Sequence, residues 1–254
     1  MPEILDRAAE TLEDRSPLEI LEWAFEQFPG QLTLATAFGA EGIALIDMAV
    51  RVNPNVDIFS LDTGFFFPET YRLWDEVEKK YGISIRRMTP ALSPTEQDQV
   101  HGPRLWERDP NLCCAIRKLA PLQHALAGFD GWITAIRRDQ TPSRANAKTV
   151  EWDRRWQKVK MNPLARWARD DVWRYVIGNK LPYNPLHDVG YSSIGCTHCT
   201  RAVGAGEDER AGRWAGSEKT ECGLHYETAK PGDRLNVELQ ALDRAPATLA
   251  VQGA

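Results

Sequence analysis

Five cysteines are the residues of this sequence best suited to chemistry. Cys113 and Cys114 are adjacent, Cys196 and Cys199 form a Cys-x-x-Cys pair, and Cys222 stands alone. The two pairs together supply four thiolates, which can hold a zinc ion or an iron–sulfur cluster. Zinc sites usually separate paired cysteines by two or more residues, so the adjacent pair favours a cluster. Four unrelated buried thiols are the alternative.

The fifth cysteine, Cys222, lies in the segment Glu221-Cys222-Gly223-Leu224-His225 and is a candidate nucleophile. Gly223 permits close approach to a ligand, and His225 could supply a positive charge or a hydrogen bond. The thiolate is the reactive form of cysteine, so neighbouring cations would favour catalysis. A surface cysteine without a role is the alternative. The four-plus-one arrangement therefore indicates a cluster and a nucleophile in one molecule.

Basic residues recur near the cysteines and near predicted strand ends. Arginine side chains bind phosphate or sulfate oxygens through two parallel hydrogen bonds. Any one of these basic residues could simply lie on a solvent-exposed surface. Their clustering favours a site that binds an anion. The basic residues are Arg117, Lys118, Arg137, Arg138, Arg144, Arg210 and Arg213.

Composition limits the class of protein. The chain has 254 residues, 43% of them hydrophobic, and a formal net charge of -5. This length allows one large α/β domain, and the negative charge argues against a general nucleic-acid binder. No apolar run approaches membrane-spanning length, and the N-terminus lacks a signal-peptide pattern. We therefore expect a cytoplasmic protein that binds neither nucleic acid nor membrane, and in which clustered cysteines are metal ligands or catalytic groups.

The pattern of apolar residues predicts alternating strands and helices. Such alternation indicates an α/β fold, a mostly parallel sheet with helices on both faces, in which binding loops follow the carboxyl ends of the strands. Here those loops are 36–42, 62–67 and 137–146. The predicted strands are 32–37, 56–61, 83–88 and 131–136, with shorter pieces near 149–152 and 158–161. The predicted helices are 17–28, 43–52, 68–81, 111–127 (broken at Pro121) and 170–177.

The loop from Thr36 to Gly42 joins the first predicted strand to a helix. Its backbone N–H groups, with the helix N-terminus, could bind an anion. The alternative is an ordinary strand-to-helix turn. The loop is neither a Gly-x-Gly-x-x-Gly nor a Walker sequence, which argues against a dinucleotide or standard P-loop site.

Four motifs together resemble the assimilatory adenylyl-sulfate reductases and their phosphoadenylyl-sulfate-reducing relatives. Leu61-Asp62-Thr63-Gly64, followed by Pro68-Glu69-Thr70, adds to the resemblance, which covers roughly residues 20–226. The four motifs are Cys113-Cys114-Ala-Ile-Arg117-Lys118, Arg137-Arg138-Asp139-Gln140-Thr-Pro-Ser-Arg144, Ile194-Gly195-Cys196-Thr-His-Cys199-Thr200-Arg201 and Glu221-Cys222-Gly223-Leu224-His225.

The resemblance implies an adenine-nucleotide α-hydrolase-like fold, related to the ATP pyrophosphatases. Those relatives carry a Ser-Gly-Gly-x-Asp-Ser loop, whereas this chain has Thr36-Ala-Phe-Gly-Ala-Glu41, which argues against binding the triphosphate of ATP. We expect a single α/β domain over residues 1–225, with a catalytic segment at about 200–225. Residues 226–254 show weak periodicity and are expected to form a flexible tail.

The resemblance also implies a reaction, in which adenosine 5′-phosphosulfate is reduced to sulfite and AMP through an S-sulfonate on Cys222. Thioredoxin or glutaredoxin would be the reductant, and a homo-oligomer is a further expectation. The implied ligands of a [4Fe–4S] cluster are Cys113, Cys114, Cys196 and Cys199. The implied substrate-binding residues are Thr36, Phe38, Gly39, Leu61, Asp62, Gly64, Lys118, Arg137, Arg138, Arg144, Arg210, Arg213 and His225.

Three alternatives remain open from the sequence. The first is a reductase of the 3′-phosphorylated substrate, or of both substrates. The second is an ATP-dependent enzyme that thiolates RNA, which would need ATP turnover and a better diphosphate-binding loop. The third is a non-enzymatic iron–sulfur sensor, in which Cys222 would be dispensable.

Overall fold

The structure is a computed structural model that describes residues 2–217, 219 and 221–225. Six strands within these residues belong to one sheet. The strands are β1 (Leu32–Thr36), β2 (Asp57–Leu61), β3 (Arg86–Met88), β4 (Gly131–Ile133), β5 (Val150–Asp153) and β6 (Lys158–Met161). The helices are α1 (Pro2–Leu12), α2 (Pro17–Gln27), α3 (Ala40–Val52), α4 (Pro68–Tyr81), α5 (Pro94–His101), α6 (Leu105–Arg108), α7 (Pro110–Cys114), α8 (Ala120–Ala125) and α9 (Arg169–Gly178).

The strand order is β3-β2-β1-β4-β6-β5. The pairs β3–β2, β2–β1, β1–β4 and β4–β6 are all parallel, and only the edge strand β5 runs antiparallel to its neighbour. The predicted α/β fold with a mostly parallel sheet is therefore confirmed. None of the helices in the described part of the chain has the length and apolarity needed to cross a bilayer.

Apolar side chains cover both faces of the sheet, because successive residues of a strand point to opposite sides. On one face, Leu34 and Ile58 belong to the large core that α2, α3, α4 and α9 complete. On the other face, Phe59 and Trp132 pack with Leu122 of α8. Helices on both faces leave the carboxyl ends of the strands as the open edge where loops converge.

Local sequence signals explain most helix boundaries. Ser16 caps α2 through a capping box with Glu19, and Pro17 occupies the first turn. Helix α4 begins at Pro68 and ends at Gly82, whose φ of 63° is left-handed. The helix after β1 was predicted to begin at Ile43. This start was wrong, because α3 begins at Ala40. The turn is shorter than predicted, so the loop after β1 leads directly into a helix N-terminus.

The predicted helix 111–127 is divided differently from the expectation. A π-helical turn over Ala115–Leu119 separates α7 from α8. Pro121 has no N–H to donate to the carbonyl of Arg117, and its ring crowds that carbonyl, which favours a wider preceding turn. The helix is therefore interrupted before Pro121 and not at it, by the π-helical turn that carries Arg117 and Lys118. The predicted tail 226–254 lies outside the described residues, and the single-domain boundary at 225 stays a prediction.

Replacing Leu34 by alanine should strongly destabilise the fold. Its side chain is fully buried in β1, at the centre of the sheet. Loss of a buried leucine side chain typically lowers the free energy of unfolding by about 2–5 kcal/mol. Urea denaturation measures the change, with Leu18→Ala on exposed α2 surface as the control, expected within about 0.5 kcal/mol of wild type. Equal losses in the two variants would contradict the assigned core.

Candidate active site

A cavity of about 210 Å³ opens at the carboxyl ends of β1, β2 and β4. Strand β1 lies between β2 and β4, so the chain leaves β1 toward one side of the sheet and later returns on the other. Ligands of open α/β sheets bind at such a switch point. Thr36 at the end of β1, Leu61 at the end of β2 and Thr134 directly after β4 all line the cavity.

The loop after β1 shapes one wall. Thr36 and Gly39 line the cavity, as expected, but Phe38 does not. Phe38 has a left-handed φ of 57°, and its ring packs on Trp74 with the centroids 4.9 Å apart. Its N–H donates to Thr36 Oγ1 at 3.1 Å, which closes the turn. Gly42 must stay small, because a Cβ there would lie 2.8 Å from Thr36 Oγ1.

The loop after β2 contributes only one of its three predicted residues to the cavity. Leu61 lines the wall, whereas Asp62 and Gly64 lie outside the lining. The buried Asp62 carboxylate accepts hydrogen bonds from the Gly64 N–H (2.9 Å), the Tyr71 hydroxyl (2.7 Å) and Arg87 (2.9 Å). Asp62 and Gly64 therefore fix the turn that carries Leu61.

Arg137 and Arg138, both predicted to bind substrate, also lie outside the lining. The Arg137 guanidinium is fully buried and forms ion pairs with Glu41 (3.0 Å), Glu209 (3.0 Å) and Asp139. Arg138 pairs with Glu13. Two of these partners, Glu41 and Glu209, line the cavity. Arg137 therefore lies behind the cavity wall and positions two of the carboxylates that form it.

Two ion pairs bring the segment that carries Cys222 into the cavity. The buried Glu221 carboxylate pairs with Arg144 at 2.9 Å and with Arg210 at 3.2 Å. Gly223 has a φ of 85°, and its carbonyl accepts a hydrogen bond from Arg155 at 2.9 Å. The left-handed residue turns the chain so that Cys222 and the residues after Gly223 line the same wall.

Four cations line the cavity together with Cys222. They come from three separate regions of the chain: the π-helical turn, the loop after β4 and the segment before Glu221. Arg213 packs on the Trp214 ring at 4.6 Å and donates to Ser193 Oγ at 3.3 Å. Neither Lys118 nor Arg213 forms an ion pair with a carboxylate of the described residues. The four cations are Lys118, Arg144, Arg210 and Arg213.

The surroundings of Cys222 favour its thiolate form. Burial raises the pKa of the thiol, but the charges of Lys118 and Arg144 and an N–H from Leu224 lower it. The resulting pKa lies below the ordinary value.

His225 does not supply the positive charge that was one of the two roles expected for it. Burial and nearby Arg144 hold the pKa of His225 well below its usual range, so its imidazole is neutral at physiological pH. Its ring stacks on Trp132, with the centroids 5.5 Å apart.

The other four cysteines line a second, smaller cavity next to the first. Cys113, Cys114, Cys196 and Cys199 all face it, and Lys118 lines both cavities. Burial and the neighbouring thiols raise the pKa of Cys113 to about 12 and that of Cys199 to about 11. Among the residues described, no three histidine, cysteine or carboxylate side chains are grouped to hold a single metal ion.

Two features of the second cavity suit a larger anionic group. Arg117 is buried, its Nη1 donates to the Thr63 carbonyl at 2.8 Å, and its guanidinium packs on the Phe65 ring at 4.5 Å. Its Nε and Nη2 find no hydrogen-bond partner in the part of the chain that the structure covers. A four-iron cubane bonds each thiolate at a separate iron, so the thiols must line one cavity but need not converge on one point. The donor set therefore fits a cluster.

Sequence reasoning missed several lining residues. Gln140 accepts from Arg144 and donates to Glu41, which connects the two ends of the cavity. His187 lines the wall, and its Nδ1 lies 2.7 Å from the Tyr191 carbonyl. Burial lowers the pKa of His187, so its ring is neutral. Gln140 lay inside a motif that had been singled out, and Glu41 lay inside the loop from Thr36 to Gly42. Glu41, Glu209 and His187 gave no spacing signal, because their positions depend on the tertiary fold.

The fold and the site together define an α/β protein with a cysteine of lowered pKa in the cavity at the switch point of its sheet. Residues 31–202 match the model of the phosphoadenosine phosphosulfate reductase domain, and the chain belongs to this family.

Relatives and solved structures agree with that assignment. The adenosine 5′-phosphosulfate reductase of Halalkalibacterium halodurans is 45% identical over 87% of this chain and 96% of that protein. The enzyme of the same name from Bacillus thuringiensis is 46% identical over 85% of this chain and 92% of that protein. The phosphoadenylyl-sulfate reductase structure from Candida auris has a TM-score of 0.71 at 33% identity and covers 80% of this chain and 98% of that one. The FMN adenylyltransferase structure from Candida glabrata has a TM-score of 0.54 at 13% identity and covers 89% of this chain and 79% of that one. This similarity concerns the fold alone.

Replacing Lys118 by methionine should raise the pKa of Cys222, because the Lys118 charge is the largest influence that lowers it. Alkylation of Cys222 by iodoacetamide, followed by mass spectrometry of its peptide, should then be slower at pH 7. Its rate should rise to a plateau at higher pH than in wild type. Lys79→Met, on the exposed side of α4, is the control and should leave the profile unchanged. Superimposable profiles for Lys118→Met and wild type would show that Lys118 does not act on the thiol.

Proposed function

We propose that this protein reduces adenosine 5′-phosphosulfate to sulfite and AMP in cytoplasmic sulfate assimilation. One observation carries the proposal: Cys222, with its lowered pKa, lines the switch-point cavity beside four cations. The relatives at 45–46% identity are named adenosine 5′-phosphosulfate reductases, whereas the phosphoadenylyl-sulfate reductase is 33% identical. These identities favour the substrate without a 3′-phosphate. A reducing compartment would keep Cys222 as a thiol.

The first step is attack of the Cys222 thiolate on the sulfuryl sulfur. A bond forms between Cys222 Sγ and that sulfur, and the bond from sulfur to the bridging oxygen breaks. AMP leaves with the bonding electron pair, and the protein holds an S-sulfonate. The sulfuryl and phosphate oxygens carry negative charge that opposes an anionic nucleophile. Lys118, Arg144, Arg210 and Arg213 offset this charge from the cavity wall.

The second step regenerates the thiol. A thiolate of thioredoxin or glutaredoxin attacks Cys222 Sγ, and sulfite departs with the electron pair of the broken sulfur–sulfur bond. The second thiol of the reductant then attacks the mixed disulfide, which frees Cys222 and oxidises the reductant. The two electrons that convert sulfate to sulfite therefore come from the dithiol. In this scheme Cys222 carries the sulfonate and the mixed disulfide in turn, and the two thiols of the reductant end as a disulfide.

The nucleoside would occupy the apolar part of the cavity. Phe59, Leu61 and Trp132 supply apolar surface there for an adenine ring. Thr36 and Gly39 belong to the loop beside them. The Glu41 carboxylate lines the same wall, and a negative side chain in the first turn of α3 opposes a triphosphate. This placement disfavours the ATP-dependent thiolation alternative.

We further propose that Cys113, Cys114, Cys196 and Cys199 hold a [4Fe–4S] cluster. Three observations support the assignment. The four thiols line one cavity, and Lys118 lines both cavities. The buried Nε and Nη2 of Arg117, which also lines the second cavity, have no hydrogen-bond partner among the described residues. When bound, the cluster supplies iron that keeps four thiols as thiolates. Because the electrons pass through Cys222, the role of the cluster is structural or electrostatic. Self-association as a homo-oligomer stays a prediction.

Cys222→Ser should bind AMP and retain the cluster but release no sulfite. A serine hydroxyl is a far poorer nucleophile than a thiolate at neutral pH. Wild-type protein mixed with adenosine 5′-phosphosulfate, without reductant, should gain the mass of one sulfonate on the Cys222 peptide. Thioredoxin should then remove it and liberate sulfite. The 3′-phosphorylated substrate, tested in parallel, should give a lower kcat/KM. A label on another cysteine, or turnover in the serine variant, would overturn the mechanism.

Protein purified without oxygen should be brown and contain about four irons and four inorganic sulfides per chain. Cys196→Ser should lose the colour, because one thiolate ligand is removed. Cys222→Ser is the matched control and should keep full iron content. Elemental analysis checks both variants. One stoichiometric zinc without sulfide in the wild-type protein would refute the cluster.

A further inference from the structure

Trp106 and His198 form the tightest ring contact next to the second cavity. Their rings stack nearly parallel, with the centroids 3.9 Å apart and an interplanar angle of 9°. Phe65 packs edge-on against both, 5.3 Å from Trp106 and 4.9 Å from His198. Trp106 is half-buried and His198 is exposed, so the stack lies at the surface. The proposed reaction uses none of these three rings.

The stack joins the two halves of the cysteine set. Trp106 is in α6, directly before α7, which carries Cys113 and Cys114. His198 lies in the turn Thr197–Cys199, between Cys196 and Cys199. Trp106, His198 and Phe65 also line the same cavity as the four thiols.

Backbone hydrogen bonds attach the turn at both of its ends. The Thr197 N–H donates to the Phe65 carbonyl at 2.8 Å, which fixes the beginning of the turn. The Cys199 N–H donates within the turn, to the Cys196 carbonyl, and the Cys199 carbonyl accepts from the Trp214 N–H, both at 3.0 Å. Cys199 is also the one member of the cysteine set that is not fully buried. Between these two ends, the His198 ring is the side chain that connects the turn to α6, through its stack on Trp106.

We propose that Trp106 and His198 form an aromatic clamp that positions Cys199 against the Cys113–Cys114 pair and closes the cysteine cavity to solvent. Both residues are positioning residues, because they act through Cys199. The role of the clamp in retaining iron rests on the proposed cluster. Its effect on the exposure of Cys199 depends on the protein fold alone.

The first experiment measures alkylation of Cys199 in the full chain stripped of iron, resolved by peptide mass spectrometry. An aromatic pair of this kind should slow opening of the turn by about 2- to 12-fold. Trp106→Ala and His198→Ala should therefore accelerate alkylation of Cys199 by that factor. His198→Phe keeps a stacking ring and should restore the wild-type rate. Trp23→Ala, which removes a ring that packs on Phe28 far from the cysteines, controls for general destabilisation.

The second experiment measures transfer of iron from the iron-loaded protein to the ferrous chelator ferrozine, without oxygen. Trp106→Ala and His198→Ala should lose iron about 2- to 12-fold faster than wild type, and His198→Phe should not. Unchanged alkylation and iron release in both alanine variants would overturn the clamp. Equal acceleration in Trp23→Ala or in His198→Phe would also overturn it. A wild-type protein without iron would refute the cluster, and the alkylation experiment would still decide the clamp.

Discussion

The buried ion pairs of Glu221 with Arg144 and Arg210 are the interaction on which the reactive site depends. They tie the segment that carries Cys222 to the loop after β4 and to the region before Trp214. Removing one partner of a buried ion pair typically costs about 3–5 kcal/mol, because the other charge is left uncompensated. The Arg155 hydrogen bond to the Gly223 carbonyl and the stack of His225 on Trp132 add further attachments of the segment. The Glu221 carboxylate thus positions both the Cys222 segment and the two arginines.

The same ion pairs leave the cavity cationic. One carboxylate is shared by two arginines, and Lys118 and Arg213 add charge without ion-pair partners among the described residues. The chain as a whole carries a formal net charge of -5, so the positive potential is local. A cleft with concentrated charge of one sign attracts and orients small anions even on an acidic protein. The lowered pKa of Cys222 is a second effect of the same charges.

The sequence predicted the fold better than the roles of individual charges. Helix α4 was predicted to the residue, because Pro68 and Gly82 mark its ends. Arg137 and Arg144 look alike in sequence, yet one lies behind the cavity wall and the other lines it. Sequence shows that both are cations, but tertiary packing decides which carboxylates surround each of them. For the same reason, sequence left open whether His225 supplies a positive charge or a hydrogen bond, and its burial among arginines lowers its pKa and keeps it neutral.

The two cysteine pairs belong to distant parts of the chain, and the stretch between them contains β4, β5, β6 and α9. A cluster bound by both pairs would act as a crosslink that closes this long loop. Such a crosslink reduces the conformational entropy of the unfolded chain, by an amount that grows with the logarithm of loop length. The binding free energy of the metal then becomes folding free energy. Half of the sheet would consequently depend for its stability on the iron supply of the cell.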